Sequence, residues 1–328
     1  MNRRFTLASA AAALAVALAS AHAPAVAQTK WDLPSGYNAN TFQVQNLQWF
    51  AEEVDKATGG KLKIQVHPGA SLFKANEIKR AVQTGQTQIG EFILSGASNE
   101  NAIFGVDSIP FLATNYAEAK KLNDISNPYL EKLLASQGLK LLYTVPWPGQ
   151  SLYSRKPISS MQDLRGTKMR AFNPATTRIA EFVGAQPVTI QLAELPQALA
   201  TGGIDNFLTS SASGVDSKLH EHVKYFYDVN AWLPRNAVVV NQKAFDALDA
   251  ASKAAVMRVA ASAQERGWRI SAEKDDESLK ELAAKGMTVD LKAETLKREL
   301  RVIGGRMTGE WLRQAGPDGQ AIIDAFRK

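Results

Sequence analysis

The stretch Asp163-Leu-Arg-Gly-Thr-Lys-Met-Arg170-Ala-Phe-Asn173-Pro174 has the pattern of a β-strand that runs directly into an α-helix. Its second half alternates in polarity, which predicts Arg170 and Phe172 on one face of the strand. Asn173 and Pro174 are predicted to be the N-cap and the first residue of the helix. A guanidinium at a strand's carboxyl end, beside the free amides of a helix N-terminus, is suited to hold a carboxylate. A surface arginine that closes a strand is the alternative interpretation.

Helical and strand patterns alternate on both sides of this stretch, which predicts an α/β protein. Ala237-Val-Val-Val240 is a continuous apolar run, typical of a strand in the middle of a sheet. The helical pattern from about Ser252 to Lys285 covers ~33 residues, or roughly 50 Å, which is longer than one small domain is wide. We therefore expect this helix to brace two domains. A shorter helix, from Ala117 to Ser136, is predicted to break at Asn127-Pro128, and two further helices are predicted near 293–314 and 320–326.

Pro146-Trp147-Pro148-Gly149 is predicted to be the crossing between the domains, because two prolines stiffen a connection that carries a large apolar side chain. The first α/β domain is expected to comprise residues 28–147 and 236–272. The second is expected to comprise residues 148–235 and 273–328, including the C-terminal helices.

The amino terminus predicts export of the protein. Asn2-Arg3-Arg4 precedes an apolar stretch that ends near Ala19, and Ala25-Val26-Ala27 provides a cleavage site of small residues before Gln28. A membrane anchor is the alternative, but the stretch is shorter than the ~20 residues that a spanning helix needs. Residues 1–27 are therefore predicted to be a cleaved signal peptide, and the mature protein is expected in the periplasm.

Composition excludes several kinds of chemistry. The chain has no cysteine, which excludes thiolate metal sites, cysteine nucleophiles and disulfides. His220 and His222 are two residues apart and cannot form the i, i+4 pair of a helical metal site, and His67 precedes a proline at a strand end. Glycine-rich nucleotide loops and a serine-nucleophile elbow are absent from the sequence. We therefore predict no catalytic residue, metal or cofactor. The net charge of +6 is scattered among acids, which argues against nucleic acid as a partner.

Several collinear stretches of the chain resemble the extracytoplasmic solute-binding proteins of TRAP transporters, the DctP type. They are Thr58 to Gly69, Glu77 to Gln86, Ile109 to Leu112, Asp163 to Arg170, Val183 to Val188 and Glu194 to Asp205. The resemblance implies a two-domain periplasmic binding protein (Venus-flytrap) fold, in which crossing strands and a long helix join two α/β domains. It also implies hinge closure over a small organic acid and delivery to the permease subunits of a TRAP transporter, with no reaction on the ligand. A monomer is expected.

The resemblance assigns the family's carboxylate-binding arginine to Arg170. Many sialic-acid-type members carry a second arginine where this chain has Gln150, and an asparagine of the family falls near Thr209. A hydrogen bond to a charged carboxylate contributes roughly 1.5 to 3 kcal/mol, so the loss of the second arginine disfavours a second anionic group. We therefore expect a monocarboxylate with hydroxyl, keto, aromatic or other apolar substituents.

Further candidates for the pocket lie at predicted strand ends and crossings, where a cleft between two sheets would open. They are Phe73, Glu91, Phe92, Trp147, Phe172, Asn173, Phe207, Ser210 and Trp232. Ordinary core aromatics and helix caps are the alternative interpretation. Glu91 could accept a hydrogen bond from a ligand hydroxyl or pair with Lys74. Two other functions remain open at this level, namely an exported enzyme that acts on a small carboxylic acid and a ligand-sensing protein for another transport or signalling system.

Overall fold

A computed structural model describes residues 28–328, so the predicted signal peptide lies outside the described residues. Helices and strands alternate through this part of the chain. The strands are β1 (Thr29–Pro34), β2 (Leu62–His67), β3 (Ile89–Ile93), β4 (Leu139–Pro146), β5 (Gln150–Ser154), β6 (Lys168–Ala171), β7 (Gln186–Thr189), β8 (Asn206–Ser210), β9 (Tyr225–Tyr227), β10 (Arg235–Asn241) and β11 (Thr288–Asp290). The helices are α1 (Phe42–Ala57), α2 (Ile78–Gln83), α3 (Tyr116–Ser136), α4 (Pro174–Phe182), α5 (Leu195–Ala200), α6 (Ser211–Asp216), α7 (Gln242–Asp246), α8 (Ala250–Ala284) and α9 (Glu294–Arg327).

The strands of the described residues form three sheets. β1 and β2 pair in parallel, and β10 lies between β3 and β4, antiparallel to both. The largest sheet has the order β11-β9-β5-β8-β6-β7, with β6 parallel to both of its neighbours. The apolar run Ala237–Val240 within β10 is buried, as its sequence predicts for a central strand.

Two of the connections between the two larger sheets, from β4 to β5 and from β9 to β10, lie side by side and are called the crossings here. The amide of Trp147 donates to the carbonyl of Pro234 (2.8 Å), and the amide of Gln150 donates to the carbonyl of Trp232 (2.8 Å). Gly149 lies on the first crossing, where a Cβ atom would come within 1.4 Å of Asn230 Oδ1 on the second. A side chain at position 149 would therefore displace the side chain of Asn230.

Helix α8 contributes to two separate cores. Its first half packs Val256 and Ala263 against the cluster that contains Phe50 and Trp147. Near its carboxyl end, Leu282 joins the cluster under the largest sheet. At 35 residues the helix is roughly 50 Å long, so the predicted brace between two cores is confirmed.

One predicted helix break is absent, and a second is present but narrower than predicted. α3 continues through Pro128 without a break, because side chains beside the proline, on Ser126 and Asn127, accept hydrogen bonds from the buried Arg235 and hold the helix from outside. At the carboxyl end, the predicted gap between two helices contracts to one non-helical residue, Gly316 (φ 60°, ψ −145°), inside α9. Among the described residues, each helix is too short or too polar to cross a membrane.

Candidate functional site

Arg170 is a buried cation that has no carboxylate partner in the described part of the chain. It lies on β6, its exposed fraction is 3%, and its guanidinium is 4.9 Å from the ring centre of Phe172. Its Nε donates to the carbonyl of Ile190 (2.8 Å), while its Nη atoms form no hydrogen bond or ion pair with the described residues. Burial lowers the pKa of Arg170 to about 10, so the side chain keeps its charge at neutral pH. The two Nη atoms are thus available to a planar anion.

The sequence after Arg170 fixes the start of α4 as predicted. Asn173 is the N-cap and Pro174 is the first helical residue. Asn173 Oδ1 accepts from the amide of Thr176 (2.8 Å), so the cap takes up an amide that the sequence had suggested for a ligand. Asn173 Nδ2 donates to Ser95 Oγ (2.8 Å), which follows β3. The cap therefore joins the largest sheet to the three-stranded sheet.

A cavity adjoins Arg170 between these two sheets, and we call it the arginine cavity. Its volume is about 40 Å³, well below the ~300–1,000 Å³ that is usual for ligand sites. Tyr37 and Trp147 form part of its wall, with their ring centres 5.0 Å apart in an edge-to-face arrangement. Its lining comprises Tyr37, Ile93, Trp147, Gln150, Arg170, Phe172, Gln191, Leu192, Thr209, Ser213 and Pro234.

Five residues predicted from the sequence meet in the arginine cavity: Arg170, Gln150, Thr209, Trp147 and Phe172. Gln150 and Thr209 are both nearly inaccessible from outside and add neutral polar groups to the site. Arg170 is the one charged side chain in this lining. The arrangement can hold a single carboxylate and leaves its other walls neutral.

A second cavity adjoins the first, with Tyr37, Ile93, Phe172 and Gln191 lining both. Its remaining wall includes two predicted residues, Glu91 and Phe92, together with Gly36, Ala75, Asn76, Lys79, Gly96, Ala97 and Glu100. We call it the glutamate cavity. It places a carboxylate close to a site that otherwise carries one cation.

Glu91 accepts hydrogen bonds from two side chains of the described residues, and Lys74 is not one of them. Ser35 Oγ donates to its Oε2 (2.6 Å), and Asn236 Nδ2 donates to its Oε1 (2.9 Å). Burial raises the pKa of Glu91 to about 7, while the two hydrogen bonds oppose that rise. The proposed pairing with Lys74 is absent because Glu91 lies in the centre of β3, only 1% exposed, whereas Lys74 is exposed.

Asn236 connects Glu91 to the aromatic wall. Its Oδ1 accepts from Tyr37 Oη (3.2 Å) and from Trp147 Nε1 (3.0 Å). Because its amide nitrogen is held by Glu91, the oxygen must face the two aromatic donors. Burial, followed by the charge of Glu91, raises the pKa of Tyr37 above its ordinary value, which keeps the phenol protonated.

The structure places the other predicted residues outside both cavities. Phe207 stacks on Tyr153 beneath β8 (4.9 Å between ring centres), and Trp232 is fully buried in the core cluster beside α9. Ser210 caps α6, with its Oγ accepting from the amide of Ser213, and the partly buried Phe73 packs against the core behind β3. Asn173 also lies outside both linings, and its side chain donates a hydrogen bond to Ser95. Phe207 and Trp232 are thus core aromatics and Ser210 is a helix cap, as the alternative interpretation of these residues states.

Sequence reasoning missed several residues of the arginine cavity, above all Tyr37, Gln191 and Ser213. Tyr37 follows β1, whose alternating Trp31 and Leu33 are buried and could have identified a strand there. Gln191 and Ser213 lie at the beginnings of helical turns, where the sequence offers only capping signals.

Comparison with known proteins identifies the family. Residues 35–301 match the family model of the bacterial extracellular solute-binding proteins, family 7, which is the DctP family. A curated solute-binding protein of Albidiferax ferrireducens is 27% identical over 266 residues, which are 78% of each chain.

Two solved structures from Bordetella pertussis are similar over nearly their full lengths. DctP6, an extracytoplasmic solute receptor that binds pyroglutamic acid, is 51% identical with a TM-score of 0.90, and the match covers 91% of this chain and 99% of that one. DctP7, a receptor that also binds pyroglutamic acid, is 42% identical with a TM-score of 0.90, covering 92% and 100%. The predicted two-domain α/β fold with its long helix is confirmed by these matches. The chain therefore belongs to family 7 of the bacterial extracellular solute-binding proteins, the DctP-type receptors of TRAP transport.

Proposed function

We propose that this protein is a periplasmic receptor for pyroglutamate, or for a cyclic monocarboxylate of the same size, and delivers it to the permease of a TRAP transporter. The observation that carries the proposal is Arg170, a buried guanidinium that adjoins a small cavity and whose Nη atoms have no partner among residues 28–328. Two similar receptors that bind pyroglutamic acid support the choice of ligand.

The polarity of the arginine cavity suits a ligand with one negative charge. The Nη atoms of Arg170 can hold a carboxylate through two parallel hydrogen bonds. Gln150 and Thr209 offer neutral hydrogen-bonding groups, which suit a lactam, keto or hydroxyl group. Trp147 and Tyr37 provide an edge-to-face aromatic wall against which a small ring can pack.

Closure of two domains over the ligand follows from the origin of the lining residues. We propose the domains expected from the sequence, residues 28–147 with 236–272 and residues 148–235 with 273–328. Tyr37 and Trp147 then come from the first domain, while Arg170 and Thr209 come from the second. A ligand that contacts both walls stabilises the closed state over the open one, because only the closed state provides all of its contacts.

A ligand screen tests the proposal. Purified mature protein is unfolded and refolded to remove bound ligand, then titrated calorimetrically with pyroglutamate, cyclopentanecarboxylate, L-glutamate and succinate. Pyroglutamate is expected to bind most tightly, and at a concentration of 100 times its Kd it should raise the free energy of unfolding by about 2.7 kcal/mol. Tighter binding of succinate or L-glutamate than of pyroglutamate would overturn the proposal.

Small-angle scattering tests the closure separately. The radius of gyration is expected to fall when pyroglutamate is added to the ligand-free protein. Unchanged dimensions at saturation would count against hinge closure while leaving the identity of the ligand intact.

A further inference from the structure

Glu91 is a buried carboxylate that lines the glutamate cavity, and none of the described cations pairs with it. In the described residues, its carboxylate forms no ion pair within 4.0 Å. Its oxygens accept from Ser35 and Asn236, one bond each. A carboxylate oxygen can accept about two hydrogen bonds, so each oxygen retains capacity for a donor from the cavity.

The surroundings of Glu91 leave its charge uncompensated. Lys79, the cation in the lining of the glutamate cavity, is paired with Glu100 and lies 5.2 Å from the ring centre of Phe104. When Glu91 is ionised, as it mostly is at pH 8, Glu91, Lys79 and Glu100 together carry one net negative charge. The arginine cavity, by contrast, carries one positive charge.

Tyr37 lies between the two charges. It lines both cavities, and its pKa responds to Glu91, which raises it, and to Arg170, which lowers it. A ligand with its carboxylate on Arg170 therefore brings its remaining polar groups into the field of Glu91. That field attracts a neutral donor and opposes a second anion.

We propose that Glu91 is a specificity-determining residue, which accepts a hydrogen bond from a neutral N–H or O–H group of the ligand and excludes ligands with a second carboxylate. This inference rests on the proposed function, because it requires the first carboxylate of the ligand on Arg170. A lactam N–H is a donor of the required kind, whereas an ionised carboxylate offers only acceptors. A second anion would have to be repelled or neutralised by proton uptake, and either event weakens its binding.

The test compares three ring compounds that share one carboxylate position. Pyroglutamate has the neutral donor, cyclopentanecarboxylate lacks it, and cis-cyclopentane-1,3-dicarboxylate adds a second carboxylate. Dissociation constants are measured calorimetrically at pH 8 for the wild-type protein, Glu91→Gln and Glu91→Met. Glu131→Gln, which makes the same charge change on the exposed side of α3, is the matched control.

In Glu91→Gln, the preference for pyroglutamate over the diacid is expected to fall by roughly tenfold or more. In Glu91→Met, which also removes the acceptor, the preference for pyroglutamate over cyclopentanecarboxylate should fall by a similar factor. The control should keep both ratios. If both ratios stay within roughly twofold of the wild type in either folded variant, the inference is wrong.

The failure of the proposed function would be distinct, because wild-type protein would then not prefer pyroglutamate. In that case the same ratios, measured with the monocarboxylate that the wild-type protein does bind, would still decide whether Glu91 excludes a second carboxylate.

Discussion

Arg235 and Arg170 are both buried arginines on strands, but only one of them is saturated by protein groups. Arg235, on β10, is 2% exposed, and its Nε donates to Asp107 Oδ2 (3.0 Å). Its Nη atoms donate to Asn123 Oδ1 (2.6 Å) and to Ser126 Oγ (3.1 Å). The Nη atoms of Arg170, at 3% exposure, have no such partners in the described residues.

The difference separates a structural arginine from a binding arginine. Burial of a guanidinium costs free energy unless hydrogen bonds and an opposite charge replace its water. For Arg235 the replacement is internal, and it also holds α3 against β10. For Arg170 the proposed carboxylate ligand would supply the replacement, because the described residues place no hydrogen-bond acceptor on its Nη atoms. Both arginines are buried, so the number of hydrogen-bond partners, and not burial, distinguishes the structural arginine from the proposed binding arginine.

The largest effect is expected at Arg235. Arg235→Met leaves the carboxylate of Asp107 buried without its cation, and the free energy of unfolding is expected to fall by about 3–5 kcal/mol. Urea denaturation followed by circular dichroism measures this change. The double variant Arg235→Met/Asp107→Leu is the control and should recover most of the loss. A cost below about 1 kcal/mol for the single variant would show that the pair does little for stability.

Substitution of Arg170 should have the opposite profile. Arg170→Ala is expected to weaken pyroglutamate binding by about 100- to 1,000-fold, which corresponds to about 2.7–4.1 kcal/mol. The free energy of unfolding of the ligand-free protein should change by less than about 1 kcal/mol, because one hydrogen bond to a backbone carbonyl is lost. Lys168→Ala, an exposed cation on the same strand, is the matched control for calorimetry. Unfolding of Arg170→Ala would instead assign this arginine a structural role.

The sequence distinguishes these two arginines only in part. Arg170 could be located because alternation, a cap and a helix start follow one another within a few residues. Arg235 received no role, since its partners come from α3 and from Asp107, more than 100 positions away in the chain. The same distant contacts explain why the predicted break at Pro128 is wrong, because local propensity is outweighed by tertiary hydrogen bonds.

The site itself could be predicted where it depends on strand ends. The family resemblance predicts Gln150 and Thr209, and both lie at the same end of the paired strands β5 and β8. Tyr37 could not be placed in this way, because it reaches Arg170 only when the two sheets face each other across the cavity. Periodicity also cannot tell an aromatic core residue, such as Trp232, from an aromatic wall residue, such as Trp147.

Glu91 extends the comparison to a buried acid without a cation. Its pKa of about 7 in the folded state exceeds the usual value of about 4.3 for an unfolded chain. The folded protein therefore binds the proton more tightly, and this site loses stability as the pH rises from about 4.5 through 7. Glu91→Gln does not titrate, so its free energy of unfolding should rise relative to that of the wild type as the pH increases. The difference should grow by up to about 3 kcal/mol across that interval. Urea denaturation at several pH values measures it, and a difference that does not depend on pH would contradict the prediction.

The smallest effect is expected at the hydrogen bond that joins the two sheets beside Arg170. Asn173 Nδ2 donates to Ser95 Oγ, and its Oδ1 is fixed by the helix cap, so the bond requires the two sheets to be close together. Ser95→Ala should destabilise the closed state by about 1 kcal/mol and weaken pyroglutamate binding by roughly fivefold, mainly through faster dissociation. Stopped-flow fluorescence measures the dissociation rate. Ser98→Ala is the matched control, since its hydroxyl donates only within its own turn, to the carbonyl of Ser95. Equal dissociation rates in the two variants would mean that closure depends on the charge of Arg170 and not on this hydrogen bond, which would make the contrast between the two arginines sharper still.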